Sequence, residues 1–302
     1  MSDLERRLAR RKRFDASFAI LGLLCTLIGL ITLAALMIDL ALDGTARLSW
    51  DFFMSYPSRF PERAGILSAW VGTTLVMSVT AVTAVPMGVA AGIYLEEYAP
   101  RNWLTALIEI NIANLAGVPS IVYGLMALGL FVYQFRLGQS ILSAGLTLAL
   151  LILPIVIVAT REAIRAVPGS MREAALALGA TKWQTTRDHV LPYSLGGILT
   201  GMIIALSRAI GETAPLITIG ALTFIAFVPD PPITTEFPFV SLEWLKSGFT
   251  VIPIQMFNWV SRPQQAFHLN AAAAGLILMF MTLVMNGIAI YFRYRFRKRI
   301  KW

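Results

Sequence analysis

Residues 170–192 read "SMREAALALGATKWQTTRDHVLP" and separate two long apolar stretches of the chain. Ser170 and Glu173 have the spacing of a capping box, which predicts that a helix starts at Met171. Gly179 can adopt the left-handed conformation that ends many helices, so this helix is predicted to stop there. The stretch is therefore expected to be a structured loop rather than an apolar run.

A second helix is predicted directly after this stop. Thr181 and Gln184 repeat the capping-box spacing. Pro192 is expected to end the helix, because the residue before a proline avoids the helical conformation. Two short helices joined by a tight turn are therefore expected within a loop of residues 161–195.

The composition on either side of this loop indicates a membrane protein. Hydrophobic residues make up 57% of the 302 residues, charged residues only 14%, and the mean hydropathy is +0.70. Soluble domains average about 45–50% apolar and about 25% charged residues. The apolar runs are continuous rather than alternating, which favours helices over a β-barrel.

Six apolar runs are long enough to cross a bilayer, since each exceeds the roughly 20 residues required. They cover residues 18–42, 66–95, 104–135, 137–160, 196–228 and 271–292. We therefore predict an all-α membrane protein with six transmembrane helices. Prolines inside several runs, among them Pro119 and Pro215, predict kinks.

The distribution of basic residues sets the orientation. Lys and Arg crowd into the two ends of the chain and the loop of residues 161–195, which places these parts in the cytoplasm. The end clusters are Arg6, Arg7, Arg10, Arg11, Lys12 and Arg13, and Arg293, Arg295, Arg297, Lys298, Arg299 and Lys301. Because each cluster adjoins an apolar run, the net charge of +8 indicates membrane topology rather than nucleic-acid binding, with both termini inside. The first apolar run is too long for a cleaved signal peptide and is expected to be retained.

Metal and disulfide chemistry is not expected. The chain has one cysteine, Cys25, and two widely separated histidines, His189 and His268. No cofactor is predicted.

The fifth apolar run contains an unusual charge pair, Arg208 and Glu212, within "LSRAIGETAPL" at residues 206–216. On a helix, residues four apart can meet. Ionisable groups are costly in a membrane and should face the bundle interior or water. Two interpretations remain open: an ion pair that fixes helix packing, or an arginine facing a translocation path for an oxyanion, with Glu212 weakening its grip and Thr213 adding a hydroxyl donor.

Other polar and aromatic residues have less specific explanations. Asn111, Asn114 and Asn286 are expected to form hydrogen bonds between helices, and Glu109 an ion pair or a solvated position. The outer segment, residues 229–269, is rich in aromatic residues and is expected to form an interfacial belt and ordered lid, or a docking surface for another protein. Its aromatic residues are Phe237, Phe239, Trp244, Phe249, Phe257, Trp259 and Phe267.

The loop at residues 161–195 resembles the EAA loop of ABC-transporter permeases. That loop has the pattern EAA, three residues, G, nine residues, then I-x-L-P, and this chain matches it except at His189. The matching residues are Glu173, Ala174, Ala175, Gly179, Leu191 and Pro192. The resemblance implies that the loop inserts into a groove of a cytoplasmic ATPase, with Glu173 and Gly179 shaping the contact and the alanines permitting it.

Four further motifs narrow the resemblance to PstA-type phosphate permeases of the MetI-like, type I importers. They are "GIYLEEYAP" at 92–100, "GVPSIVYG" at 117–124, "GETAPL" at 211–216 and "FTVIPIQMFNWVSRPQQAF" at 249–267. The resemblance implies a transport subunit, not an enzyme, in the cytoplasmic membrane. Its implied partners are a second related permease, two copies of an ATPase and an extracytoplasmic phosphate-binding protein.

The sequence lacks the G-x-x-x-x-G-K-[ST] motif, which agrees with ATP hydrolysis by a separate protein. The alternatives are a permease for another oxyanion, such as phosphonate or molybdate, an ion-coupled secondary transporter, and a purely scaffolding subunit. We expect a first region at residues 1–63, a permease core at 64–292 and a basic tail at 293–302.

Overall fold

A computed structural model describes residues 3–232 and 241–297 of the chain. All regular secondary structure in this part is helical. The helices are α1 (Asp3–Thr45), α2 (Trp50–Met54), α3 (Leu67–Ile93), α4 (Trp103–Leu115), α5 (Ser120–Ala127), α6 (Ile141–Arg165), α7 (Gly169–Ala177), α8 (Lys182–Thr185), α9 (Leu191–Ile210), α10 (Ala214–Thr218), α11 (Ile252–Val260) and α12 (Gln265–Arg297). Three π-helical segments, Tyr94–Tyr98, Leu128–Gln134 and Thr186–Val190, extend α3, α5 and α8.

The predicted number of membrane crossings agrees with the structure when one bent helix pair is counted as a crossing. Five helices are long and apolar enough to span a bilayer, and α4 and α5 give the sixth if they cross together as a broken span. The five are Phe14–Thr45, Leu67–Tyr98, Ile141–Arg165, Lys182–Ile210 and Gln265–Arg295. Six crossings return the chain to the side on which it started, as the distribution of basic residues predicts. We call the end of the bundle that carries α7 the inner end.

The third crossing is broken, whereas the sequence analysis predicted a single helix over residues 104–135 with a kink at Pro119. The axes of α4 and α5 differ by 105°. Pro119 precedes α5 in an extended conformation, because proline disfavours the helix on its N-terminal side. The hydroxyl of Tyr123 donates to the carbonyl of Leu115 at 2.8 Å, so a carbonyl at the break is satisfied by a side chain.

The fifth crossing begins earlier than predicted. The helix that starts at Lys182 does not end before Pro192, because the π-helical segment Thr186–Val190 leads directly into α9. Pro192 falls in the first turn of α9, where its missing N–H group costs least. The two helices predicted for the inner loop are therefore α7 and the first turns of a membrane-spanning helix.

The fifth crossing also ends early, since α9 stops at Ile210 rather than continuing to residue 228. Gly211 is its C-cap, and the short helix α10 follows with Pro215 in its first turn. The charged motif thus lies at a helix break within the membrane.

Of the two predicted capping boxes, one forms. Thr181 Oγ accepts a hydrogen bond from the Gln184 N–H, and the Gln184 side chain accepts from the Thr181 N–H. The box predicted at Ser170 and Glu173 is wrong, because α7 starts at Gly169, two residues earlier than predicted, and no side chain caps it. A proline immediately before the helix already fixes the start of this turn.

Gly179 ends α7 as predicted. Its φ of +85° is left-handed. The N–H groups of Gly179 and Ala180 donate to the carbonyls of Leu176 and Ala175, which is the Schellman pattern.

The core of the bundle is the contact between α3 and α6, where small residues allow close approach. A side chain at Gly88 would lie 2.7 Å from Val156, and one at Gly92 would lie 2.7 Å from Thr160. In contrast, α1 packs along α12 at the periphery and leaves its apolar side chains exposed, as expected for a lipid-facing helix.

The outer segments form a folded cap. Arg47 Nε donates to Asn270 Oδ1 at 2.8 Å, and Arg47 Nη2 donates to the Pro61 carbonyl at 2.7 Å, which ties the loop after α1 to α12. Trp259, Phe249 and Phe267 are fully buried, so these aromatic residues form a lid core rather than an interfacial belt. Phe237 and Phe239 lie outside the described residues.

Candidate functional site

Arg208 and Glu212 meet at the helix break. Arg208 Nε and Glu212 Oε1 are 3.5 Å apart, although Glu212 lies beyond the end of α9. The prediction that the two side chains meet is confirmed, while the prediction that one helix carries both is wrong. The contact is long for a charge-assisted hydrogen bond, so Glu212 holds the guanidinium only loosely.

The Arg208 side chain is 43% exposed on the surface of the chain, and that of Glu212 is 18% exposed. A guanidinium within a membrane crossing is too costly to face lipid and needs water or protein beside it. The face that carries Arg208 therefore adjoins a water-filled path or another subunit.

The helix break is supported from the third crossing. A side chain at Gly124 of α5 would lie 2.6 Å from Pro215 Cα and would also collide with Thr218. This close contact brings α10 against α5, next to the break between α4 and α5. Thr213, half-buried, is the N-cap residue of α10, and its carbonyl accepts from the Leu216 and Ile217 N–H groups. Two interrupted crossings thus come together beside Arg208, an arrangement typical of substrate sites in transporters.

Asn286 positions α12 against this region. Its Oδ1 accepts a hydrogen bond from Ser207 Oγ at 2.7 Å, which confirms a predicted contact between helices next to Arg208. Asn111 does not behave as predicted, because its amide donates to Leu107 within its own helix. A hydrogen bond to a carbonyl one turn earlier is a common alternative for a polar side chain in an apolar helix, since it satisfies the amide without a second helix.

At the inner end, α7 presents the predicted coupling residues on two faces. Glu173, Ala174 and Gly179 are exposed, whereas Ala175 is 6% exposed and packs against the chain itself. The first three are accessible to a partner.

Three apolar residues on the same surface were not identified from the sequence. Leu176, Leu178 and Trp183 have exposures of 50%, 89% and 55%. Exposed apolar side chains in the inner loop are the signal that could have found them, since such groups mark protein interaction sites. We call Leu176, Leu178 and Trp183 the apolar inner patch.

A set of ion pairs surrounds the base of α7. Glu96 contacts Arg161 and Arg165, and Glu109 contacts Arg161 at 2.7 Å, which confirms the ion-pair alternative for Glu109. Glu97 pairs with Arg172 at 2.7 Å. We call Glu96, Glu97, Glu109, Arg161, Arg165 and Arg172 the inner-end cluster. Glu96 and Glu97 lie in the quoted motif "GIYLEEYAP", but their partners are more than 60 positions away in the chain and could not be assigned from sequence.

The sequence family described as "Binding-protein-dependent transport system inner membrane component" matches residues 84–302. The chain belongs to this family. It is therefore a membrane transport subunit rather than an enzyme, it crosses the cytoplasmic membrane several times, and it acts as one component of a transport system that depends on a binding protein.

Relatives in this family are similar over almost the whole chain. The phosphate transport system permease protein PstA of Xylella fastidiosa strain Temecula1 is 31% identical over 292 residues, which cover 95% of this chain and 96% of the relative. PstA of Haemophilus influenzae is 30% identical, with 94% and 96% covered. The probable ABC transporter permease protein YqgI of Bacillus subtilis is 34% identical over 66% of this chain and 68% of the relative.

Solved structures share the fold at low sequence identity. A bacterial ABC transporter involved in the import of the acidic polysaccharide alginate aligns over 96% of this chain and 99% of its own, with a TM-score of 0.64 and 14% identity. A chain of the inward-facing MetNI methionine ABC transporter aligns over 74% and 93%, with a TM-score of 0.56 and 14% identity. Both likenesses support the type I importer permease architecture.

Proposed function

We propose that the chain is the membrane-spanning permease subunit of an ATP-driven importer of inorganic phosphate. The observation that carries the proposal is the exposed guanidinium of Arg208 at a helix break, in a chain whose relatives over about 95% of its length are phosphate transport permeases. An arginine suits this substrate because its planar guanidinium can donate two parallel hydrogen bonds to a phosphate.

The loose contact between Arg208 and Glu212 suits transport better than storage. A phosphate that approaches Arg208 competes with one carboxylate at 3.5 Å and need not break a bidentate pair. Glu212 then offers the guanidinium an alternative partner, which favours departure of the anion. Thr213, one residue further on, supplies a hydroxyl donor beside the same break.

Coupling to ATP hydrolysis is assigned to α7 and the apolar inner patch. In this proposal, a cytoplasmic ATPase covers Leu176, Leu178 and Trp183, while Glu173, Ala174 and Gly179 shape the edge of the contact. Ala175 supports α7 from within the chain. Two copies of the ATPase would engage this permease and a second homologous permease, and an extracytoplasmic phosphate-binding protein would deliver the substrate.

Each of three regions of the chain has a distinct role in this proposal. Residues 64–292 form the transporting unit in this proposal, because they contain both broken crossings, α7 and most of the outer cap. Residues 1–63 add the peripheral helix α1 and the rest of the cap, and residues 293–302 supply the basic residues predicted for the C-terminal end.

Transport of another oxyanion is the second candidate. A phosphonate or molybdate offers a guanidinium similar oxygen atoms, and the name of the relative from Bacillus subtilis specifies no substrate. An ion-coupled transporter that uses Arg208 and Glu212 as a relay is disfavoured, because such a protein has no use for an exposed apolar inner patch.

The test is reconstitution of the permease with its second permease, ATPase and binding protein in liposomes. ATP-dependent uptake of radiolabelled phosphate is expected, and excess unlabelled phosphate should compete far better than methylphosphonate or molybdate. If methylphosphonate or molybdate competes more strongly than phosphate, that anion is the substrate instead. Uptake without ATP, driven by an ion gradient, would refute it.

Coupling is tested by Glu173→Lys, with Glu162→Lys as the control. Glu173 is exposed on α7, so the reversed charge should abolish ATP-dependent uptake and reduce co-purification of the ATPase while the spans remain inserted. Glu162 is an exposed carboxylate on α6, and its replacement should preserve most uptake. Normal uptake by Glu173→Lys would exclude this residue from the contact.

A further inference from the structure

One pair of the inner-end cluster joins α7 to the second crossing. Arg172 Nε and Nη2 both donate to Glu97 Oε1, at 3.0 and 2.7 Å. Glu97 lies in the π-helical segment Tyr94–Tyr98 that continues α3. The Glu97 side chain is 9% exposed and that of Arg172 is 24% exposed, so solvent screens this pair less than the exposed pair of Arg165 and Glu162.

The same guanidinium also binds the end of α6. Arg172 Nη1 donates to the Val167 carbonyl at 2.7 Å, and Nη2 donates to the Ile164 carbonyl at 2.9 Å. Among the described residues, Arg172 provides every side-chain hydrogen bond that leaves α7. A single side chain therefore fixes α7 to both α3 and α6.

The two helices that receive this contact form one packed unit. Gly92 of α3 packs against Thr160 of α6, less than two turns from the Glu97 and Ile164 contacts. Around them, Ile164, Val167 and Val190 form a small apolar cluster with Ile93 and Met171. Because this packing is dense, a displacement of α7 that keeps the Arg172 contacts must displace α3 and α6 together.

We propose that Glu97 and Arg172 form the connection through which movement of α7 is transmitted to the α3 and α6 pair. Both are positioning residues: neither touches substrate, and Arg172 points away from the exposed face that carries Glu173. The inference rests on the proposed function, in that an ATPase moves α7. It identifies a specific intramolecular contact behind the coupling surface, separate from the residues that bind the ATPase.

The test uses Glu97→Gln in the complete transporter, with phosphate uptake and ATP hydrolysis measured in the same liposomes. Glutamine keeps the size and one acceptor oxygen but removes the charge. The phosphate transported per ATP hydrolysed is expected to fall roughly tenfold, because the neutral amide forms a weaker hydrogen bond to the guanidinium than the carboxylate does, while the ATPase still co-purifies. Glu162→Gln, in an exposed pair on α6, is the matched control and should leave the ratio unchanged.

A distance measurement separates transmission from general damage. With Cys25 replaced by serine, spin labels at the exposed positions Tyr94 and Ser170 report the separation of the π-helical segment and α7. The distribution should stay narrow with and without ATP in the parent and broaden in Glu97→Gln. Arg172→Lys keeps the charge but loses the forked hydrogen bonds, so it should broaden the distance distribution as well. All values are normalised to the amount of assembled complex.

The possible results are distinct. If the parent complex transports phosphate and Glu97→Gln keeps both the transport ratio and the narrow distribution, the inference is overturned and the proposed function stands. If the parent shows no ATP-dependent phosphate uptake, the proposed function itself fails. A lowered ratio with an unchanged distribution would also overturn the inference, because transmission would then not depend on this contact.

Discussion

The charged residues of this chain occupy two regions that differ in how their charges are satisfied. In the inner-end cluster, each arginine meets a carboxylate of the same chain at 3.1 Å or less, and Arg161 and Arg165 both contact Glu96. At the end of α9, Arg208 has one ion partner among the described residues, at 3.5 Å, and its side chain remains 43% exposed. The first arrangement holds helices together, whereas the second leaves a charge for something outside the chain.

The degree of charge pairing in the two regions is the reverse of what their surroundings would suggest. Loosely held charges are normal at a membrane surface, where water solvates them, and costly within the bilayer. The inner-end cluster instead satisfies its charges within the chain, whereas Arg208 remains incompletely paired. This arrangement suits the coupling and anion-path roles proposed above.

The comparison is tested most strongly by Arg208→Gln. Phosphate uptake by the reconstituted transporter should fall about a hundredfold or more, because the proposed guanidinium contact to phosphate is lost and truncating one partner of a hydrogen-bonded charge pair costs about 2–5 kcal/mol. Arg293→Gln is the control, since within the described part of the chain Arg293 donates to the neutral Thr200 hydroxyl and to no carboxylate, and its loss should change uptake by about twofold at most. An assembled Arg208→Gln complex that transports at the parental rate would leave only the helix-packing interpretation of Arg208.

A second test disturbs the contact between α5 and α10 that supports the helix break, and it leaves Arg208 and Glu212 unchanged. Gly124→Ala introduces a methyl group 2.6 Å from Pro215 Cα and should destabilise the α5 and α10 contact by roughly 1–3 kcal/mol. Thermal inactivation of the purified complex should then occur at lower temperature. At Gly129 an added methyl group meets no atom within 4 Å, so Gly129→Ala should leave the inactivation temperature unchanged. Equal temperatures for the two variants would show that the contact does not support the site.

The smallest effect is expected for Glu212→Gln. Partly exposed ion pairs are worth at most about 1 kcal/mol, so uptake should slow by about fivefold at most. Retention of phosphate should increase, as measured by its dissociation from the detergent-solubilised complex. Glu243→Gln in the outer cap is the control. Faster dissociation in Glu212→Gln would indicate that the carboxylate holds the arginine in place instead of competing with phosphate.

Much of the fold could be predicted from sequence because bilayer thickness and backbone hydrogen bonding leave few alternatives for long apolar runs. The six crossings, the stop at Gly179 and the capping box at Thr181 and Gln184 all follow from local chemistry. The breaks at residues 116–119 and at Gly211 do not. Pro119 and Pro215 predict irregularity, but its size depends on tertiary contacts, such as the Tyr123 hydroxyl at Leu115 and the approach of α10 to Gly124.

The candidate site was predicted in part. The contact of Arg208 with Glu212 could be predicted from their spacing, and the residues of the inner loop from the EAA motif. Both signals depend on residues that are close together in the sequence. Exposure depends on which faces of the helices pack together, so neither the accessibility of Arg208 nor the burial of Ala175 could be derived. The partnership of Glu97 with Arg172 joins positions 75 apart and has no local signal.

The continuity of the helix through Pro192 has a geometric consequence. Residues Lys182–Ile210 form one rod of 29 residues, about 43 Å long at 1.5 Å per residue. Trp183 lies at its inner end, and Arg208 lies about 38 Å away along the axis. A tilt of about 10° around the inner end would swing Arg208 through about 7 Å, given this length. Glu212 follows Gly211 directly, and its N–H donates to the Ala209 carbonyl, so Glu212 moves with the end of the rod. A small angular change at the inner end therefore displaces both charges by several ångströms.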